Sequence, residues 1–350
     1  MREQPTISQE QLRACLQAQY GLTPATVEFL PLGWDTNAGV YRVVDEQGAA
    51  YLIKVTTRTL YEPGYLVPRY LRDQGITAVV APLPTTSDHA LWTQLDGWRL
   101  VVYPFIEGDT GWATMTDDHW RAAGAVFRQI HHVAPPTVGV ASLHCETFDP
   151  SEYAQWIRAF DARPAPTPSA GGAAASALRA AWQARQSSID AVVAALEGLG
   201  GALRSRLLPY VICHADLHPA NLIRDPAGAV SVIDWDEVML APKERDFLFV
   251  GEPSADSASL SDAAPFFQGY GPTEIDWVAL TYFRYERVAQ DMIAYAEEVC
   301  FRDDLGEATK TEAAERFQSN LSEEGYLAVA RRAATHLPAE LGDLINGNAN

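Results

Sequence analysis

An α+β chain, strand-rich at its start and helical afterwards, is predicted by three observations. Short β-branched and aromatic runs bounded by turn residues fill residues 26–103. Apolar residues at helical spacing dominate beyond residue 108. Between later helical stretches lies His214-Ala-Asp216-Leu-His-Pro-Ala-Asn221, followed by Ile233-Asp234-Trp235-Asp236 around a short hairpin.

The elements follow in order. Ser8-Gln-Glu-Gln11 reads as a capping box opening a helix, with Leu12, Cys15 and Leu16 on its apolar face and Gly21 ending it. Residues 26–30, 40–44 and 50–55 read as strands, separated by Gly33-Trp-Asp-Thr-Asn-Ala-Gly39 and Asp45-Glu-Gln-Gly48. A short helix is expected over 65–74. Strands at 90–95 and 98–103 are joined by Asp96-Gly97, a strong two-residue hairpin signal. Trp120, Gly124, Phe127 and His131 recur at helical spacing within 117–132. Residues 162–176, rich in Ala, Pro, Gly and Ser, read as a low-complexity mobile loop. Helices are expected at 177–198, 276–299 and 322–336, and the last residues should fray.

The bulk properties exclude some classes. Of 350 residues, 47% are apolar, enough for a sizeable core. Lys and Arg number 26 against 45 Asp and Glu, a formal charge of −19. That opposes general binding to nucleic acid or anionic membranes, and is compatible with a cationic small-molecule partner. It serves solubility equally well. Cys15, Cys145, Cys213 and Cys300 are scattered without metal spacing and read as reduced thiols. The N-terminus is polar, and no stretch approaches ~18 consecutive apolar residues. A cytoplasmic monomer without membrane attachment is the expectation.

The hairpin carries the chemistry. Apolar runs flank Asp225-Pro-Ala-Gly228, where Pro226 presets φ and Gly228 tolerates a positive one. Two antiparallel strands bring their outer ends together, so Asn221 entering and Asp234 leaving can share one metal's shell. Mg²⁺ takes hard oxygen ligands, only one or two of them carboxylates. Asp216, five residues before Asn221, is then left to accept a proton from a hydroxyl or simply to orient it. Singly, each is an ordinary turn or cap residue. Together they share the H-x-D-x4-N spacing of the kinase catalytic loop.

This block resembles the aminoglycoside phosphotransferase family, in which His-x-Asp-x-x-x-x-Asn precedes an Ile-Asp-Phe or Ile-Asp-Trp segment. Ile233-Asp-Trp-Asp-Glu-Val-Met-Leu-Ala-Pro-Lys-Glu-Arg-Asp246, Tyr282-Phe-Arg-Tyr-Glu286-Arg287 and Tyr103-Pro-Phe-Ile106 are similar to its spectinomycin branch. The likeness runs from Gln11 to Glu297 and is weakest over 135–205. It implies a two-lobed protein-kinase-like fold: a small antiparallel-sheet lobe over 1–103, a hinge at 103–108 and a larger, mostly helical lobe over 104–350.

The resemblance also implies roles. Asp216 would be catalytic, and Asn221 and Asp234 would hold Mg²⁺. Lys54, at the end of a strand, would neutralise ATP phosphates, although alone it reads as an edge-strand lysine. Glu62 is the candidate partner of Lys54, or merely a helix cap. Thr36 and Asn37 could meet phosphate, and Tyr103, Phe105 and Ile106 would flank adenine. His214 and Asp246 read as braces of the loop. Asp236, Glu237, Glu286 and Asp291 are candidate ligands for ammonium groups, with Trp112 and Tyr270 as apolar walls. The implied activity is transfer of the ATP γ-phosphate to a hydroxyl of an aminoglycoside or aminocyclitol, spectinomycin first. Choline, homoserine, methylthioribose, fructosamine and macrolides are alternative acceptors, and a non-catalytic nucleotide-binding module is the reading from another class.

Overall fold

The computed structural model describes residues 5–31, 38–110, 115–136, 142–163, 168–225, 227–250 and 264–346. Thr36, Asn37, Trp112 and Pro226 lie outside the described residues.

The chain opens with α1 (Gln9–Tyr20), β1 (Pro24–Leu30), β2 (Ala38–Asp45), β3 (Ala50–Thr56) and α2 (Pro63–Asp73). Next come β4 (Thr93–Leu95), β5 (Trp98–Pro104), α3 (Asp117–His132), β6 (His144–Cys145), α4 (Ser151–Asp161), α5 (Pro168–Ala184) and α6 (Gln186–Arg204). Then follow β7 (Val211–Cys213), β8 (Leu222–Arg224), β9 (Val230–Val232), β10 (Met239–Ala241), α7 (Ala264–Tyr270) and α8 (Trp277–Phe301). The last helices are α9 (Glu307–Asn320), α10 (Tyr326–Ala334) and α11 (Ala339–Asn346). The fold is kinase-like, with an antiparallel sheet towards the N-terminus and helices towards the C-terminus.

Two compact units emerge. The first comprises Met1–His144, Val211–Leu240 and Gln268–Gly271. The second comprises Cys145–Tyr210, Ala241–Phe267 and Pro272–Asn350.

In the first unit, the expected capping box forms: Ser8 Oγ accepts from the Gln11 N–H, and Gln11 Oε1 accepts from the Ser8 N–H. Gly21 closes α1 in the left-handed region, where glycine pays no Cβ penalty. The sheet is five-stranded in the order β1-β2-β3-β5-β4. Its tightest turn is Asp96-Gly97, with φ of 47° and 83°, as a two-residue hairpin of right-handed twist demands.

Alternation along β3 decides which face carries what. Ile53 and Val55 are fully buried with Tyr41, Val43, Leu100, Val102, Leu12 and Leu16. Lys54 lies between them in sequence and opposite Val101 in register, so the two share the other face. There Val101 packs with Tyr65 of α2 and Leu91.

The β8–β9 hairpin forms with Leu222 opposite Val232 and Arg224 opposite Val230. Asp225 fixes its turn, accepting from the Ala227 and Ala229 N–H groups through Oδ1. Gly228, at φ 87°, donates its N–H to the Asp225 carbonyl. The Ala78 and Val80 backbone bonds Val232 at 2.8 and 3.0 Å, which anchors the hairpin outside its own pairing.

The second unit is helical. α8 is buried nearly all round, from Val278 and Leu280 to Met292 and Val299, so it forms the unit's axis. Trp182 of α5 stacks on Phe317 of α9 at 5.2 Å, with the Phe160 ring of α4 tilted against it at 4.5 Å.

Two expectations fail here. Residues 168–176, expected to form a loop, belong to α5, which is interrupted at Gly172 (φ 72°). The Glu307 carboxylate accepts from the Ala174 N–H at 2.8 Å and so caps the segment beyond the break. The single helix expected over 177–198 is two helices, divided at Arg185 (φ −110°, ψ 12°).

Candidate active site

The candidate site lies within the first unit. β7 delivers the chain into the His214–Asn221 loop. His214 is fully buried, its ring edge against Trp235 with centroids 4.7 Å apart. Its Nδ1 accepts from the Asp216 N–H at 3.3 Å, and its Nε2 lies 2.8 Å from the Ile233 carbonyl. That pair of contacts requires the proton on Nε2, so His214 serves as a strut between the loop and the end of the hairpin rather than as a base.

The loop then closes on itself. The Asn221 amide nitrogen donates to the Asp216 carbonyl at 2.9 Å and to Asp216 Oδ2 at 3.2 Å. His218 Nε2 lies 3.4 Å from the same Oδ2. Asn221 is 6% exposed, and with its NH₂ group turned to Asp216, the Oδ1 carbonyl is what it offers a cation.

Hairpin closure works as the sequence implies. The Ile233 N–H bonds the Asn221 carbonyl at 3.0 Å, which leaves Asp234 as the next residue at that end. Asp234 takes φ 62°, uncommon for a residue with a Cβ, and its side chain is half exposed. Trp235 beyond it is buried, so the two flanking aspartates emerge on the open side. An amide oxygen and an accessible carboxylate are hard donors of the kind Mg²⁺ takes.

Lys54 meets this end of the hairpin. Its Nζ lies 2.6 Å from Asp236 Oδ2 and 3.6 Å from Asp234 Oδ1. Burial by itself would lower the lysine's pKa, but the charges of Asp234 and Asp236 outweigh it and the net shift is upward. A sheet residue and a hairpin end distant in sequence thus form one polar cluster. Tyr65 borders it, its pKa pushed up to about 12, first by burial and then by the charge of Asp236.

The phosphotransferase enzyme family profile matches residues 26–283, most of the chain. The chain belongs to the phosphotransferase enzyme family. The structure of spectinomycin phosphotransferase APH(9)-Ia in complex with ADP and spectinomycin superposes with a TM-score of 0.80 at 26% identity. That match covers 93% of this chain and 98% of the other. The AMP-bound complex of that enzyme gives 0.77 at 25% identity over the same shares. Amicoumacin kinase in complex with AMP-PNP, Ca²⁺ and Ami gives 0.60 at 18% identity, over 90% of this chain and 93% of that one, a likeness of fold alone. No curated relative matches in sequence.

In this phosphotransferase, the remaining sequence-derived residues have varied surroundings. Glu62 precedes α2 as an exposed residue whose side chain makes no capping bond. Among the described residues the ion pairs of Lys54 are with Asp234 and Asp236, so the expected Lys54–Glu62 pairing does not form. Tyr103, Phe105 and Ile106 are half-buried, and the Phe105 N–H bonds the Ala50 carbonyl at 3.1 Å. Glu237 is exposed.

Tyr270 is not an open apolar wall. It is 5% exposed, and its hydroxyl lies 2.8 Å from His131 Nδ1. In the second unit Glu286 is buried against the Arg245 guanidinium, and Asp291 lies 2.9 Å from Arg287 Nε. Both carboxylates thus have cationic partners inside the protein. Asp246 is fully buried in a 3₁₀ turn over Lys243–Phe247. One feature escaped the sequence reading. Tyr61 stacks on His144 at 4.4 Å, and its hydroxyl donates to the Val238 carbonyl, a pairing with no local signal.

Proposed function

We propose that this enzyme transfers the γ-phosphate of ATP to a hydroxyl of an aminocyclitol or aminoglycoside, with spectinomycin the acceptor to test first. The observation that carries the reading is the cluster of Lys54, Asp234 and Asp236 at the same hairpin end to which His214 ties the Asp216–Asn221 loop. The likeness to spectinomycin phosphotransferase over nearly the whole of both chains supports the choice of acceptor.

Phosphoryl transfer asks the protein for positioning and charge compensation more than for covalent work. Lys54 meets the nucleotide phosphates. Asn221 Oδ1 and the Asp234 carboxylate would hold Mg²⁺, which when bound would neutralise charge on the phosphates. Asp216 orients the acceptor hydroxyl and takes its proton, with Oδ2 steadied by the Asn221 amide. The lobe over 1–103 binds nucleotide, with Tyr103, Phe105 and Ile106 at the adenine, and the lobe over 104–350 binds the acceptor. Glu237 is an exposed carboxylate next to Asp236 and a candidate to face an ammonium group. The enzyme works as a monomer in the cytoplasm, where ATP is available.

The test is ADP release with Mg-ATP and spectinomycin, with the product's phosphate located by NMR. Asp216→Asn should lower kcat by about 10²–10⁴, the usual worth of a general base, while leaving ADP affinity nearly intact. Near-normal kcat in that variant sinks the mechanism. Turnover with choline, homoserine, methylthioribose, fructosamine or a macrolide, and none with spectinomycin, moves the acceptor. Nucleotide binding without transfer to any acceptor leaves a binding module.

A further inference from the structure

We infer that Asp236, and not a glutamate of helix α2, is the residue that positions Lys54 for the nucleotide phosphates. The inference rests on the functional reading above and gives this chain's Lys54 a different partner from the one expected.

The local structure explains the exchange. α2 starts with Pro63-Gly64, which leaves Glu62 outside the helix as an exposed residue. A Cβ added at Gly64 would sit 3.0 Å from the Trp235 carbonyl oxygen and 3.4 Å from the Asp236 Cα. The glycine therefore lets the Trp235–Asp236 backbone lie close on the start of α2, where a Cβ would make a tight contact. That places the segment beside the strand that carries Lys54. Trp235 is buried beneath, so the Asp236 side chain is on the open side, where its Oδ2 meets Lys54 Nζ at 2.6 Å.

The chemistry suits a positioning role. An ammonium group has three N–H donors and a flexible four-carbon stem, so it needs an anchor to present a fixed charge. Asp236 takes one donor and Asp234 stands at 3.6 Å, which leaves donor capacity for a phosphate oxygen. The same bond commits the Asp236 charge to Lys54 rather than to an ammonium group on the acceptor.

The test is a double-mutant cycle on ADP affinity, measured by titration calorimetry without acceptor or turnover. Lys54→Met should weaken ADP binding about ten-fold or more in the wild-type background. In Asp236→Asn, and equally in Asp236→Ser, that penalty should shrink to within about two-fold, because the lysine is no longer held in place. In Glu62→Gln it should persist in full. Equal penalties with and without Asp236 would mean that it acts independently of Lys54, and overturn the inference. So would a larger penalty without Asp236, which would make it a competitor of the phosphates, or a penalty that vanishes in Glu62→Gln. The failures of the two readings separate. A cycle that couples as expected in a protein that phosphorylates no acceptor defeats only the functional reading. Binding of ADP that ignores Lys54 altogether defeats both.

Discussion

Glu286 is the sharpest point of conflict between a substrate ligand and a structural brace. It is 5% exposed, Arg245 is 8% exposed, and the two are in contact in the second unit. Burial pushes the carboxyl up to about 7 despite the pull of Arg245, with Glu146 adding to the rise. At pH 8, above that value, the carboxyl is mostly ionised and the pair mostly ionic. Glu286→Leu at that pH leaves a buried guanidinium without its carboxylate, a change worth about 3–5 kcal/mol. For a unit of 150–250 residues, each kcal/mol moves the midpoint by ~2–4 °C, so a fall of about 6–20 °C is expected. Arg245→Met should cost a similar amount. The double variant Glu286→Leu/Arg245→Met should recover most of the loss, since an apolar pair of similar volume is often neutral or better. Thermal melts and urea titrations at pH 8 read this directly, alongside KM for a cationic acceptor. The brace is refuted if Glu286→Leu keeps its melting midpoint while KM for the acceptor rises, because the carboxylate would then be serving substrate.

The pH dependence of the same group has a defined sign. A carboxyl raised to about 7 from 4.5 binds its proton more tightly when folded, so its contribution is present below pH 4.5 and is lost as pH rises through 7. The span is worth at most ~3 kcal/mol, visible as a falling stability difference between wild type and Glu286→Gln over that window; a flat difference counts against it. Gly64→Ala should cost about 1–3 kcal/mol by overpacking against the Trp235 carbonyl, and should weaken ADP binding in calorimetry. Unchanged affinity would separate α2 from the placement of Asp236. Gly97→Ala meets no atom within 4 Å, so its cost is that of a positive φ alone, about 1 kcal/mol in a urea titration. Ser8→Ala should cost a similar ~1 kcal/mol, with helix content retained by circular dichroism.

Elements with local signals were legible in the sequence. The capping box at Ser8–Gln11, the Asp96-Gly97 turn and the Asp225–Gly228 turn are each fixed by residues within one turn of the chain. The helix at 117–132 matches α3 to the residue, because Thr116 supplies the cap and the apolar stripe supplies the face. α5 was illegible for the opposite reason. Its Ala-rich sequence favours helix by propensity, but low complexity suggested a loop, and the bond that caps Ala174 comes from Glu307, far along the chain. Tertiary packing settles such segments, and nothing within a window of a dozen residues encodes it.

The candidate site divides along the same line. Asp216, Asn221 and Asp234 could be grouped because a hairpin's closure is a local geometric fact, and the Ile233–Asn221 bond realises it. The surroundings of Lys54 could not. The resemblance implies a helix carboxylate as the lysine's partner, and Glu62 is the nearest candidate in sequence. The partner comes instead from a segment 171 residues beyond Gly64 in the chain, whose backbone packs closely on that glycine and whose Asp236 meets the lysine. Glu286 failed to read as an internal ion pair for a related reason, whereas Asp291 pairs with Arg287 one turn earlier on the same helix, a spacing the sequence does carry. A carboxylate on a helix reads as a surface or ligand charge until its partner is known, and Arg245 lies on a different element. Charge type is therefore written in the sequence, whereas charge allocation is a property of packing. For the cationic acceptor proposed above, packing therefore decides which carboxylates can face it.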